Sequence, residues 1–316
     1  MKKITIKTED TGKRLDVFLV DKLPDLSRSH ILKLIKKEAI LINGEAKNPH
    51  YSLKEGDVLD IKKTEIIEKK EKKLSKVKAA DIKIIEDTPD YVVINKPAGL
   101  VVHGATHINE YSLADFLIKK YPEIKTVGDD PVRPGIVHRL DKDVSGLMVV
   151  AKNQETFETL KKQFKTRTVI KQYIGLVHGQ VKLDTDIINF PIERAAAGYK
   201  MSALPLTKKG EINLEGKPAL TEFDVIKRFV NYTLLRISIK TGRTHQIRAH
   251  MAAYGNPIVG DSLYGSSRNK LQNKKLNLGR IFLVSAKLSF KDAKKVKHEY
   301  EAKLPKELEK FLKTVK

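Results

Sequence analysis

The sequence predicts an α+β fold, and two observations carry the prediction. Strand signals, either two-residue apolar alternation or short unbroken apolar runs, recur at 82–84, 91–94, 147–151, 171–179, 223–225, 235–239 and 281–290. Segments with the three- and four-residue apolar spacing of amphipathic helices lie between and around them.

Composition sets the class. The chain has 316 residues, 41% of them apolar and 32% charged, which fits a soluble protein long enough for two domains. Lys and Arg number 61 against 39 Asp and Glu, a net charge of +22, and an excess of that size calls for a polyanionic partner. An anionic membrane is the other polyanion, but no long apolar run or lipidation signal supports one. The lack of cysteine excludes disulfides, thiolate chemistry and Cys-ligated zinc, and fits a reducing cytosol. Residues 1–10 alternate charge without an apolar secretory core. A cytoplasmic location with no membrane association is therefore expected.

Residues 12–61 read as a small module. Leu15, Phe18, Leu19 and Leu23 have helical spacing, and Pro24 stops the pattern. Ser27 is placed to cap a second helix whose Ile31, Leu34 and Ile35 share one face, while Arg28, Lys33, Lys36 and Lys37 fall largely elsewhere on it. Ile40 and Ile42 alternate up to Asn43-Gly44, a two-residue turn signal, and Gly56-Asp57 marks a turn before residues 58–61. Residues 62–80 are nearly all Lys and Glu with no clear apolar face, the signature of an exposed, partly helical linker. The expected organisation is a front module over 1–61, a charged linker over 62–80 and a larger domain over 81–316.

In the larger domain, Ser112 and Asp115 form a capping-box start for a covering helix with apolar Leu113, Phe116 and Leu117. Phe157, Leu160 and Phe164 predict a second helix, followed by the strand 171–179. Residues 190–220 form a long polar segment bearing Gly and Pro. Thr244 is the expected N-cap of a short helix that buries Ile247, Met251 and Tyr254, ends at Gly255 and leaves Gln246 and Arg248 free to reach a site. The tail reads as a basic amphipathic helix with Leu308, Phe311 and Leu312 on one face.

The chemistry concentrates in residues 133–146, RPGIVHRLDKDVSG. Asp141 falls in a short loop between two strand-like segments with basic residues on both sides, a usual address for a reacting group. Taken alone, an Asp after Arg and Leu can simply brace a turn. No metal site is expected: His245 and His250 are poorly spaced for one helix face, and no H-E-x-x-H string occurs. No phosphate-binding glycine motif occurs either, so no nucleotide cofactor is expected.

Residues 133–146 resemble the catalytic motif of the Rlu class (RluA-type) of pseudouridine synthases, in which HRLD carries the catalytic Asp. Residues 90–104, DYVVINKPAGLVVHG, resemble the first block of that class, where Lys96 and Pro97 would be structural. Residues 171–179, KQYIGLVHG, resemble its K-x-Y strand, and residues 216–221, GKPALT, with Lys200-Met201 and residues 241–265, extend the match. In front, RLD, SRS, ING and EGD in that order resemble the alpha-L RNA-binding module. The chain departs from the class at Ala195-Ala196-Ala197, where polar and basic residues are usual, and at Leu283-Val284-Ser285, where Leu-His-Ala is usual.

The resemblance implies isomerisation of uridine in RNA to pseudouridine, without cofactor. Asp141 would be the catalytic carboxylate, and attack on the sugar, attack on the base and removal of a ribose proton all remain open. Arg248 would oppose Asp141 and keep it ionised, Tyr173 would pack on the base, and Arg139 would fill the gap left by the flipped uridine. RNA contacts would come from Arg14, Ser27, Arg28, Ser29, Lys33 and Lys36 in the front module and from Lys200. The implied fold is a mixed, largely antiparallel sheet with flanking helices and a central cleft. A monomer acting on large-subunit ribosomal RNA is expected; the alternatives are a transfer RNA substrate, or a non-catalytic RNA-binding ribosome-assembly factor on the same fold.

Overall fold

The computed structural model describes residues 2–23, 28–61, 81–104, 110–195, 198, 200–203 and 216–315. The expected stop at Pro24, the cap at Ser27 and the linker at 62–80 lie outside them. The described residues fall into two compact units, one holding 2–61 with Gly104 and Glu110, the other 81–103 and 111–315.

The first unit runs β1 (Lys2–Thr5), α1 (Leu15–Lys22), α2 (Arg28–Lys36), β2 (Ile40–Ile42) and β3 (Val58–Ile61). The helical spacing has the predicted outcome: Leu15, Phe18, Leu19, Ile31, Leu34 and Ile35 all enter one core with Ile40, Ile42, Leu59 and Ile61. Asn43 (φ 53°) and Gly44 (φ 81°) make a tight turn closed by paired backbone bonds between Ile42 and Glu45, 2.8 and 2.9 Å. Beyond that bridge, β2 pairs with β3, from Ile40 opposite Ile61 to Ile42 opposite Leu59. Strand β1 was not anticipated; it lies antiparallel on the other side of β3, and Ile6, just past its end, is buried in the core. Its Ile4 and Ile6 alternate with polar residues, a short strand signal.

The second unit continues with β4 (Lys83–Asp87), β5 (Tyr91–Lys96), α3 (Leu113–Lys120), β6 (Ser145–Ala151), α4 (Gln154–Thr166), β7 (Ile170–His178), β8 (Thr185–Ile188), β9 (Ile192–Arg194), β10 (Met201–Ala203), β11 (Thr221–Arg228), β12 (Tyr232–Ile239), α5 (Gln246–Ala253), α6 (Ser267–Leu276), β13 (Leu283–Lys291), β14 (Lys297–Glu301) and α7 (Lys306–Thr314). Nine strands form one sheet in the order β4-β5-β6-β13-β7-β12-β11-β8, with β14 on β13, and β9 and β10 form a separate hairpin. Every pairing in the large sheet is antiparallel except β6 with β13. The implied α+β class with a largely antiparallel sheet is the observed one.

Both faces of the sheet centre are covered, which is why β5 and β6 read as unbroken apolar runs. Val92, Ile94, Met148 and Val150 face one cluster with Leu113 and Leu117 of α3. Tyr91, Val93, Leu147 and Val149 face the other with Phe157 and Leu160 of α4. Helix α3 has the expected capping box, Ser112 with Asp115. Helix α7 adds Leu308, Phe311 and Leu312 to a further cluster around Phe282.

Three departures stand out. Strands β8, β9 and β10 occupy parts of the stretch around the expected polar segment. Helix α6 buries no residue and rests on the Ser266–Asn269 capping box, so it carries no apolar stripe to read. The N-cap of α5 is His245, in the left-handed region (φ 53°, ψ 21°), rather than Thr244. Among the described residues, no helix is long and apolar enough to cross a membrane.

The parallel approach of β6 to β13 depends on Gly146. Its φ is 123°, and a Cβ there would lie 2.3 Å from the Ser285 carbonyl oxygen. Gly146→Ala is expected to cost at least about 1–3 kcal/mol of stability, read as a lower urea midpoint at unchanged slope. An unaltered midpoint would show that the two strands can part here freely.

Candidate active site

A cleft of ≈ 530 Å³ opens in the second unit, and Asp141, Tyr173, Arg248 and Arg139 all line it. Asp141 is the one carboxylate among the described lining residues, whereas Arg133, Arg139, Lys165, Arg167, Lys171 and Arg243 also face the cleft. A basic mouth of this kind suits an anionic ligand.

The Asp141 loop is held from below. Lys96 is fully buried, and its Nζ donates to the carbonyl oxygens of Pro97 (2.9 Å), Leu100 (2.8 Å) and Lys142 (3.1 Å). An ammonium group has three donors; two are used on the 97–100 turn and one on the residue after Asp141, which ties the two loops together. Burial pulls its pKa down to about 7, opposed by the charge of Asp143. Gly99 N–H donates to the same Lys142 carbonyl at 2.7 Å, and Val144 N–H closes the turn onto the Asp141 carbonyl at 3.2 Å. The structural role expected of Lys96 thus has a physical form: it fixes the residue beside Asp141. His138 supports the other side. Its ring stacks on Phe164 at 4.5 Å and its Nε2 accepts the Val149 N–H at 3.1 Å. Burial pushes its pKa down to about 3, so it is a neutral acceptor.

Arg248 projects from α5 and donates through Nη1 to Asp141 Oδ2 at 3.2 Å. Its fork is turned elsewhere. Nε and Nη2 donate to the two oxygens of Asp261 at 2.7 and 3.0 Å. Asp261 is fully buried and also accepts the N–H groups of Leu263 (2.8 Å) and Tyr264 (3.0 Å). The guanidinium lies over the Tyr264 ring, 5.2 Å from its centroid. Burial works against the charge on Arg248, but the hydrogen bonds and charge of Asp261, then those of Asp141, outweigh it and raise its pKa. The two-point match of Arg248 is therefore with Asp261, which the sequence reading did not single out. Only its place in the matched stretch 241–265 could have pointed to it.

Tyr173 lies on β7 with Ile237 and Ser285 opposite it on the neighbouring strands. Burial raises its hydroxyl pKa, the Asp141 charge adds to that, and a hydrogen bond with Ser285 opposes it. Lys171 on the same strand faces the cleft, and burial pulls its pKa down to about 8. Arg139 is exposed, with Nη1 3.4 Å from His103 Nε2.

Several other residues lie apart from this cluster. Gln246 lines the cleft, but it is buried and spends its amide on Thr241, Arg243, Leu220 and Thr221, so it braces the helix start and offers the cleft no free donor or acceptor. His250 is fully buried between Thr221 Oγ1 and the Phe190 carbonyl, both at 2.9 Å, a structural histidine. Lys200 sits half-buried at the β9–β10 turn and does not line the cleft. In the first unit, Arg14 places Nε and Nη2 on the two oxygens of buried Asp16, each at 3.0 Å. Lys36 is exposed on α2; Arg28, Ser29 and Lys33 belong to the same helix, and Ser27 lies outside the described residues. Among the described residues, no cluster of three or more His, Cys, Asp or Glu could hold a metal.

Breaking a buried ion pair by removing one partner's charge costs about 3–5 kcal/mol. Asp261→Asn is expected to lose stability on that scale by equilibrium urea unfolding. A loss below about 1 kcal/mol would mean that Asp261 is not the main support of Arg248.

Comparison with known proteins agrees with this geometry. A family model described as RNA pseudouridylate synthase matches residues 90–253, and an S4 domain model matches residues 13–59. The chain is similar to an uncharacterized RNA pseudouridine synthase of Aquifex aeolicus, 38% identical over 87% of this chain and 84% of that one. It is also similar to a ribosomal large subunit pseudouridine synthase C of Haemophilus influenzae, 31% identical over 93% of this chain and 88% of that one. The solved structure of human RNA pseudouridylate synthase domain containing 4 matches with a TM-score of 0.58 at 25% identity, over 73% of this chain and 91% of that one. The chain belongs to the RNA pseudouridylate synthase family, with an S4 domain ahead of the synthase part.

Proposed function

We propose that this isomerase acts as a monomer on large-subunit ribosomal RNA, converting specific uridines to pseudouridine with Asp141 as the catalytic carboxylate. The observation that carries the reading is the single carboxylate in a cationic cleft, ion-paired to a buried guanidinium. The ribosomal substrate is suggested by the name of the Haemophilus influenzae relative. Asp141 supplies the negative charge at the sugar and the detached base. Arg248 keeps it ionised, Tyr173 gives the base a face to stack on, and Arg139 enters the helix gap. Flipping a base costs a few kcal/mol, and stacking on one aromatic ring returns about 1–3 kcal/mol, so extrusion needs no other energy source. The front module, residues 1–61, adds phosphate contacts without taking part in the chemistry.

Asp141→Asn is nearly isosteric but uncharged. It is expected to keep fold and RNA affinity while abolishing pseudouridine formation in a purified single-turnover assay, and substantial turnover would remove Asp141 from the mechanism. Arg248→Lys has one ammonium to serve both Asp261 and Asp141, and should lower the rate at least about tenfold, some 1.4 kcal/mol of barrier. Mapping pseudouridines in total RNA from cells with and without the gene tests the substrate; sites lost only from transfer RNA would redirect it.

For the front module, replacing Arg28, Lys33 and Lys36 together by Ala should weaken RNA binding and leave the rate at saturating RNA nearly unchanged. Each phosphate contact contributes about 0.7–0.9 to the slope of log affinity against log salt, so the slope should flatten by roughly 2–3. An unchanged slope would make the helix an ordinary solvated face.

A further inference from the structure

His245 lines the cleft, yet the reading above gives it no task. It caps α5 in the left-handed region, φ 53° and ψ 21°, where non-glycine residues are uncommon. Its ring is oriented by a second group. Nδ1 lies 3.1 Å from the Tyr264 hydroxyl, and that hydroxyl accepts the Met201 N–H at 2.8 Å. Tyr264 is buried, so its hydroxyl proton needs an acceptor. Met201 N–H can only donate, which leaves Nδ1 to accept. Burial lowers the His245 pKa; Arg248 and Arg139 push the same way, while Asp141 and Asp261 oppose them. A neutral imidazole that accepts at Nδ1 carries its proton on Nε2. That nitrogen faces Asp141 Oδ2 at 3.9 Å, the oxygen already held by Arg248 Nη1 at 3.2 Å. Among the described residues, both side-chain donors thus converge on Oδ2, and neither is aimed at Oδ1.

We propose that His245 is a positioning residue for Asp141: its Nε2–H, aimed by Tyr264, joins Arg248 on Oδ2 when RNA fills the cleft, and so presents Oδ1 as the oxygen that meets the uridine. The present separation is too long for a hydrogen bond and needs a contraction of about 1 Å to become one. The arrangement also gives Met201 a role that needs no RNA contact, since its backbone N–H sets the direction of the Tyr264 proton.

This inference rests on the Asp141 reading, so the experiment carries Asp141→Asn alongside. The measurements are the single-turnover rate at saturating RNA, RNA affinity and melting temperature for His245→Leu, His245→Gln and Tyr264→Phe. A hydrogen bond to a charged group is worth enough that His245→Leu should lose about 10- to 100-fold in rate, with affinity within about twofold of wild type. His245→Gln retains an N–H near the Nε2 position and should recover most of the rate. Tyr264→Phe, which frees the tautomer, should fall between them. A wild-type rate in His245→Leu overturns the proposal. So does a His245→Gln as slow as the Leu variant, since a donor would then not be what the site requires. Equal losses of affinity and melting temperature in the Leu and Gln variants would make His245 a structural residue and overturn it too. If Asp141→Asn turns over, the Asp141 reading fails and takes this inference with it; if Asp141→Asn is inert while His245→Leu is unaffected, only this inference fails.

Discussion

The site depends on a buried cation that already has its main partner. Arg248 is 6% exposed by side chain and Asp261 0%. A guanidinium so placed must be compensated, or the cost of desolvating it would unfold the cleft floor. Asp261 does this with a two-point match, and its own spare acceptor capacity is taken by two backbone N–H groups. One guanidinium nitrogen is left over, and it points at Asp141. The orientation of the Asp141 carboxylate is therefore set by the Arg248–Asp261 pair before any ligand arrives, which is what electrostatic preorganisation requires.

The sheet explains why Asp141 stands where Arg248 can reach it. The loop that carries it runs directly into β6, at the one parallel junction of the large sheet, where Ser145 and Gly146 lie beside Val284 and Ser285. That junction is close because Gly146 has no side chain. Arg280 adds a tie at the same place, donating through Nη2 to Ser145 Oγ at 2.6 Å and through Nη1 to Glu307 of α7 at 2.9 Å. With Lys96 holding the Lys142 carbonyl, the turn is pinned at both ends, so the carboxylate has little freedom beyond its own torsions.

What was legible in the sequence was what local pattern encodes. The unbroken apolar run 147–151 reads directly as a strand buried on both faces, and Ser112 with Asp115 reads as a helix start because a capping box is a matter of three-residue spacing. Helix α6 has no apolar face, and β14 alternates charged residues with His298 and Tyr300, so burial pattern could not mark either. The cap at His245 was missed because a left-handed backbone there follows from the fold around Tyr264 and Asp141, while local preference favours Thr244. The clearest gap was Asp261. An ion pair between α5 and the turn after it has no periodicity, and the resemblance sets Arg248 against Asp141, whereas its two-point match is with Asp261 and Asp141 receives one bond. In the first unit the same limit applies to Arg14, whose charge is largely spent on Asp16.

Burial also sorts the cations of the cleft into two kinds. Arg133, Arg139, Lys165, Arg167 and Lys240 are exposed and can meet phosphate at little desolvation cost. Arg248 could bind phosphate equally well by its chemistry, and a polyanion in the cleft would compete with Asp141 for it. Its fork is turned inward onto Asp261 and its exposed edge is small, so that competition is lost in advance. The exposed cations can then be numerous without disturbing the one carboxylate among them. Any ligand that displaces water from the cleft lowers the local dielectric and strengthens the Arg248–Asp141 attraction. The same burial that keeps the arginine from an anionic ligand thus makes its hold on Asp141 tightest when the cleft is filled.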